Sequence, residues 1–150
     1  MKNVKENLHL QCIKFVENRF QTIQNTIKEI QESLATETKS SAGDKHETGR
    51  AMLQLEREKA GNQLAEIQKI KEALFKINIE TNSEKIGLGS VVYTSKSNYF
   101  ITISAGELHL ENEMFYAISS STPIAKLLLG KTIGDQIHFR DQNFKIIKVI

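Results

Sequence analysis

The chain has 150 residues, with 20 basic and 18 acidic side chains, a net charge of +2, 39% hydrophobic and 25% charged residues. That balance excludes a protein that coats nucleic acid, which needs a clear basic excess. Apolar runs of only a few residues exclude a membrane-spanning helix. The opening "MKNVKENLHLQ" has no apolar secretion-signal core. Cys12 stands alone, which leaves neither a disulfide framework nor a thiolate zinc site. A cytoplasmic protein is expected.

Residues 1–79 contain no proline and only three glycines, at 43, 49 and 61. Ile13, Val16, Phe20, Ile23, Ile27, Ile30 and Leu34 recur at alternating spacings of three and four, a heptad seam among polar residues. A Ser/Gly turn at 40–43 separates it from a second, less regular seam through Leu53, Ala60, Leu64, Ile67, Leu74 and Ile77. Arg57 and Lys71 fall near apolar positions of that seam. Two helices joined by a short turn run antiparallel, so 1–79 is predicted to be a coiled-coil hairpin with its tip at about 40–48. Arms of about 30 residues would reach roughly 45 Å.

Residues 80–87, "ETNSEKIG", carry no helical stripe and read as a linker. From 88 to 150 the pattern turns to short β-type runs, "GSVVYTS", "NYFITISA" after a "KSN" turn, "EMFYAISS", and a closing hairpin of "DQIHF" and "FKIIKVI" across "RDQN". One short helix interrupts them. Thr122 is its N-cap, Pro123 takes N1, "IAKLLL" forms the body and Gly130 stops it. The chain is thus predicted to be α+β, a helical hairpin followed by a small antiparallel β-sheet domain with one short helix.

"LLLGKTIGD" is not a phosphate loop. Such a loop needs glycine five residues before Gly130, where Ala125 stands, and it precedes a helix rather than following one. His9, His46, His109 and His138 show no paired metal spacing, and Cys12 beside the seam reads as a packing or surface thiol with no histidine placed to activate it. Asp44-Lys45-His46-Glu47 at the tip is a capping box that also suits the positive helix end. Two carboxylates at a hairpin turn also form an acidic probe. Alone they hold Mg²⁺ weakly, because the ion takes six oxygens and keeps its waters, so such a tip acts only where another macromolecule supplies the remaining ligands.

"ISSSTPIAKLLLGKTIGDQI", Ile118 to Ile137, is similar to the C-terminal signature of bacterial Gre-type transcript cleavage factors, roughly I-S-x-x-S-P-I/L-A/G-x-A-L-I/L-G-K-x-x-G-D-x-V/I. Pro123, Ala125, Leu128, Gly130, Lys131, Gly134 and Asp135 fit, whereas Thr122 replaces its Ser and Leu127 its Ala. "GSVV", Gly89 to Val92, resembles the strand opening the same domain. The family's tip reads approximately G-D-L-S-E-N-A-E-Y. Gly43, Asp44 and Glu47 match it, while Lys45-His46 replace Leu-Ser and Thr48-Gly49-Arg50-Ala51 replace Asn-Ala-Glu-Tyr.

The resemblance implies a coiled-coil hairpin with an FKBP-like C-terminal domain. It implies a monomeric elongation factor that inserts its tip into the secondary channel of bacterial RNA polymerase and stimulates cleavage of backtracked RNA. Asp44 and Glu47 would act in trans and share Mg²⁺ with the polymerase, with no cofactor held by the factor alone. Lys45, His46 and Arg50 would support the tip, Lys45 or Arg50 could contact RNA phosphates there, and the chain would meet the RNA 3′ end only within the polymerase complex. Ser121, Pro123 and Ile124 would dock at the channel rim. The factor is then not itself an enzyme, and the lack of any Trp argues against a prolyl isomerase. The altered tip also suits an alternative, a factor of the same fold that occupies the channel and inhibits without cleavage. A structural coiled-coil adaptor is a third reading.

Overall fold

The computed structural model describes residues 3–39 and 44–150, with the side chains of 37–39 and 44–47 outside the described set. Two long helices, α1 (Val4–Lys39) and α2 (Asp44–Lys76), precede six strands: β1 (Val91–Thr94), β2 (Asn98–Thr102), β3 (Gly106–Leu110), β4 (Glu113–Ser119), β5 (Gln136–Phe139) and β6 (Gln142–Val149). A short helix, α3 (Pro123–Leu128), lies between β4 and β5. This is the expected α+β class. The chain divides into two compact units, one of residues 16–71 and one of residues 1–15 with 72–150.

In the helical unit Ile27, Ile30 and Ala60 are buried, with Ile23, Leu34, Leu53 and Leu64 packed against them. These are the heptad positions, so an apolar stripe on each helix finds the other. The two cations at apolar positions of the second seam are accommodated differently. The Lys71 ammonium lies 3.2 Å from a Glu17 carboxylate oxygen and 5.1 Å from the centre of the Phe20 ring. The half-buried Arg57 lays its guanidinium along Gly61, where a Cβ would stand 3.0 Å from Nη1. Both long stems can cover apolar surface while their charged ends stay near water.

The other unit is built on a sheet of order β3-β4-β2-β1-β6-β5. All neighbours are antiparallel except β2 and β4, which are parallel from Asn98↔Phe115 to Thr102↔Ser119. The antiparallel expectation is corrected at this one pair. The chain leaves β2, forms β3 at the edge and returns as β4 between them, and β3 itself was not foreseen. The β3–β4 turn is two residues, Glu111 (φ 50°) and Asn112 (φ 67°), both left-handed. That geometry matches the twist of the flanking strands.

One sheet face buries Val92, Ile101, Phe144 and Ile146 with Ala125 and Leu128 of α3. On the opposite face Val91, Phe100, Leu108, Phe115 and Ala117 are buried. Leu8 and Cys12 of α1 and Leu74 and Ile77 are buried in the same unit. Near the start of α1 the residues buried in this unit are thus Leu8 and Cys12, while Ile13 is only half-buried. The thiol of Cys12 sits against Thr102 at the end of β2. The contact is weak, because Thr102 Oγ1 has no partner of hydrogen-bonding geometry among the described residues. Burial dominates and pushes the Cys12 thiol up to about 12, the Thr102 contact pulling slightly the other way. Cys12 is therefore the packing residue of the two options its place in the sequence allowed.

Two side chains of α1 fasten distant segments of this unit. Lys5 is 2% exposed and donates from Nζ to the Thr81 carbonyl at 2.9 Å. Gln11 meets the backbone of His109 in β3 through both ends of its amide.

Candidate functional site

The predicted tip, at about 40–48, includes the start of α2. The first residue of that helix is Asp44, so Asp44 and Glu47 occupy its first turn, where the exposed N–H groups and the helix dipole favour anions. Residues 40–43 and the side chains of Asp44, Lys45, His46 and Glu47 lie outside the described residues, so the capping-box bonds and the carboxylate positions do too. Among the described residues no group of three or more His, Cys, Asp or Glu could hold a metal.

Arg50 is described. Its Nη1 lies 3.4 Å from the Leu34 carbonyl oxygen, to which it donates. The guanidinium thus ties α2 to α1 one turn inside the hairpin end, which suits a support role. A guanidinium engaged this way has less freedom to meet an RNA phosphate.

The sequence-predicted docking residues sit together where β4 runs into α3. Thr122 Oγ1 donates to the Ser119 carbonyl at 2.9 Å and accepts from the Ala125 N–H at 3.3 Å. Pro123 occupies the first helical turn. Ser119 Oγ and Ser121 Oγ are 2.9 Å apart. Ser121 and Pro123 are exposed, whereas Ile124 is half-buried and packs on the core beneath α3. Two of the three could meet a partner freely; Ile124 also has a packing role. At the far end Gly130 (φ +82°) turns the chain so that its N–H reaches the Ile86 carbonyl at 2.8 Å.

No contact within the sequence neighbourhood could have found Gln11. Its partner His109 is 98 positions away, and a glutamine on a helix carries no local signal for such a bond. Among the described residues no helix is long and apolar enough to cross a membrane.

No family model matches the chain, and no curated protein matches it. Among solved structures it is similar to one titled "Structure of the transcription factor Gfh1", at 19% identity over 99% of this chain and 95% of that one, with a TM-score of 0.34. A likeness of that degree adds nothing about a site, so the fold described above rests on its own elements.

Proposed function

We propose that this chain is a Gre-type factor of bacterial RNA polymerase, inserting its hairpin tip into the secondary channel and stimulating cleavage of backtracked RNA. The observation that carries the reading is the start of α2 at Asp44, which puts Asp44 and Glu47 in one helical turn at the end of a helical hairpin. The signature from Ile118 to Ile137 supports it, because Thr122, Pro123 and Gly130 fill the structural roles expected of them.

Two carboxylates from one turn supply two of the six oxygens Mg²⁺ takes, so the donor set fits a shared ion and not a resident one. Such an ion supplies charge stabilisation and a more acidic bound water. The chain's own part is to bring Asp44 and Glu47 to it, with Arg50 fastening the helix that carries them. Lys45 and His46 lie between the two acids. Ser121, Pro123 and Ile124 form the rim contact. The factor acts as a cytoplasmic monomer and activates a nuclease centre that belongs to the polymerase.

The test is an RNA cleavage assay on backtracked elongation complexes with the added chain. Shortened RNA and retained polymerase binding are expected. Inhibition without shortening would replace this reading by the channel-occupying regulator, which the basic Lys45 and Arg50 beside the acids favour. Neither binding nor any effect on the RNA would overturn both.

A further inference from the structure

The open edge of the sheet at β3 is closed by a side chain. Leu110 and Glu113 flank the two-residue turn, so in the β3–β4 register the N–H and C=O of Leu108 and Leu110 face β4. Those of Glu107 and His109 face outward. Gln11 occupies the outward pair at His109. Its Nε2 donates to the His109 carbonyl at 2.9 Å, and its Oε1 accepts from the His109 N–H at 3.3 Å. The amide thereby makes both bonds that an added strand would make there. A further bond from Nε2 to Asn7 Oδ1, 2.9 Å, one turn back on α1, holds it in place.

We propose that Gln11 is a gate on this edge, and that the surface behind it fits β3 of a second copy of this chain. The occupant follows from the residues themselves. A two-fold antiparallel pairing centred on Leu108 sets Glu107 opposite His109 of the second copy, and His109 opposite its Glu107. Those are the two residues whose backbone groups point outward, so the pairing makes four ladder hydrogen bonds. Both side chains are exposed, and within one strand they already approach to 3.7 Å. Each imidazole would then face a carboxylate across the new ladder, where a ring N–H can donate to it, and side-chain pairs directly opposed in this way stabilise a ladder. Unpaired edges of this kind recruit further strands unless something blocks them; here one glutamine does so at His109.

Sedimentation analysis and amide hydrogen exchange of the full chain test this with Gln11→Ala. Loss of the cap should speed His109 amide exchange roughly 2- to 10-fold in dilute monomer and strengthen self-association at least about tenfold over the wild type. Adding Glu107→Lys should abolish that association, and adding His109→Glu to the same chain should restore it. Gln11→Glu, which keeps the acceptor for the His109 N–H but opposes its carbonyl, should fall between. Unchanged His109 exchange would overturn the gate. Faster exchange with no stronger association, or association indifferent to the charge swap, would overturn the two-fold pairing.

Discussion

Replacing Gly89 by alanine isolates the cost of one close approach between the sheet and the segment that follows α2. Gly89 has φ +91°, and a Cβ there would stand 2.7 Å from the Asn78 carbonyl oxygen and 3.2 Å from Ile77 Cγ2. The first neighbour is backbone and cannot rotate away. The Gly89 N–H also donates to the Ile101 carbonyl at 2.7 Å, so the residue cannot retreat without losing a hydrogen bond. Left-handed strain costs about 1–2 kcal/mol, and overpacking adds about 1–3 kcal/mol. Gly130→Ala is the control, since Gly130 has φ +82° with nothing within 4 Å of a Cβ. It carries the strain alone. Both positions lie in the same compact unit, so their unfolding transitions are comparable. Urea unfolding of both variants should show Gly89→Ala less stable than Gly130→Ala by about 1–3 kcal/mol, and thermal melts should separate by roughly 10 °C. A difference below about 0.5 kcal/mol, within the scatter of ordinary surface substitutions, would show that residues 77–78 do not press on Gly89.

Four further outcomes are expected. Asp44→Asn and Glu47→Gln should each abolish RNA cleavage in the backtracked-complex assay while polymerase binding persists; cleavage unchanged in both would remove these residues from the mechanism. Thr122→Ala deletes the acceptor for the Ala125 N–H and should destabilise the sheet unit by about 1 kcal/mol, whereas Thr122→Ser should stay near wild type by chemical denaturation. Cys12, with its thiol raised from 9.0 to about 12, should resist a thiolate-specific reagent at pH 8 until the chain unfolds. Stability should be insensitive to this group below pH 9, where folded and unfolded thiols are both protonated, and should fall from pH 9 towards 12, where only the unfolded state loses its proton; rapid labelling of the native chain would contradict its burial. Lys71→Leu removes a half-exposed ion pair of small net value and places an apolar group in the seam, so the helical unit should melt at a higher temperature by circular dichroism.

The helices and their seam were legible because helical periodicity is local. Ile23, Ile27 and Ile30 declare one face of α1 within a few turns, whatever that face meets. The α3 boundaries were legible for the same reason, since a cap, an N1 proline and a stop glycine act on their immediate neighbours. β3 was not legible. "GELHL" offers only two apolar residues between polar ones, and an edge strand is defined by the partner it finds in β4, not by its own composition. Nor could the sequence show that β2 and β4 run parallel, since both directions accept the same alternating residues.

At the candidate site the division is similar. The sequence by itself put Asp44 and Glu47 three residues apart after a turn, and the structure opens a helix there. The base of α1 is different. Spacing made Ile13 the seam residue, yet Cys12 is the one buried, because the neighbours of this segment include Thr102, far away along the chain. The use of Gln11 to close a strand edge 98 positions distant was likewise decided only by the tertiary structure. Local dihedral preferences and periodicity are written in adjacent residues, whereas the pairing of edges and faces is settled by which surfaces remain to be covered once the elements have formed.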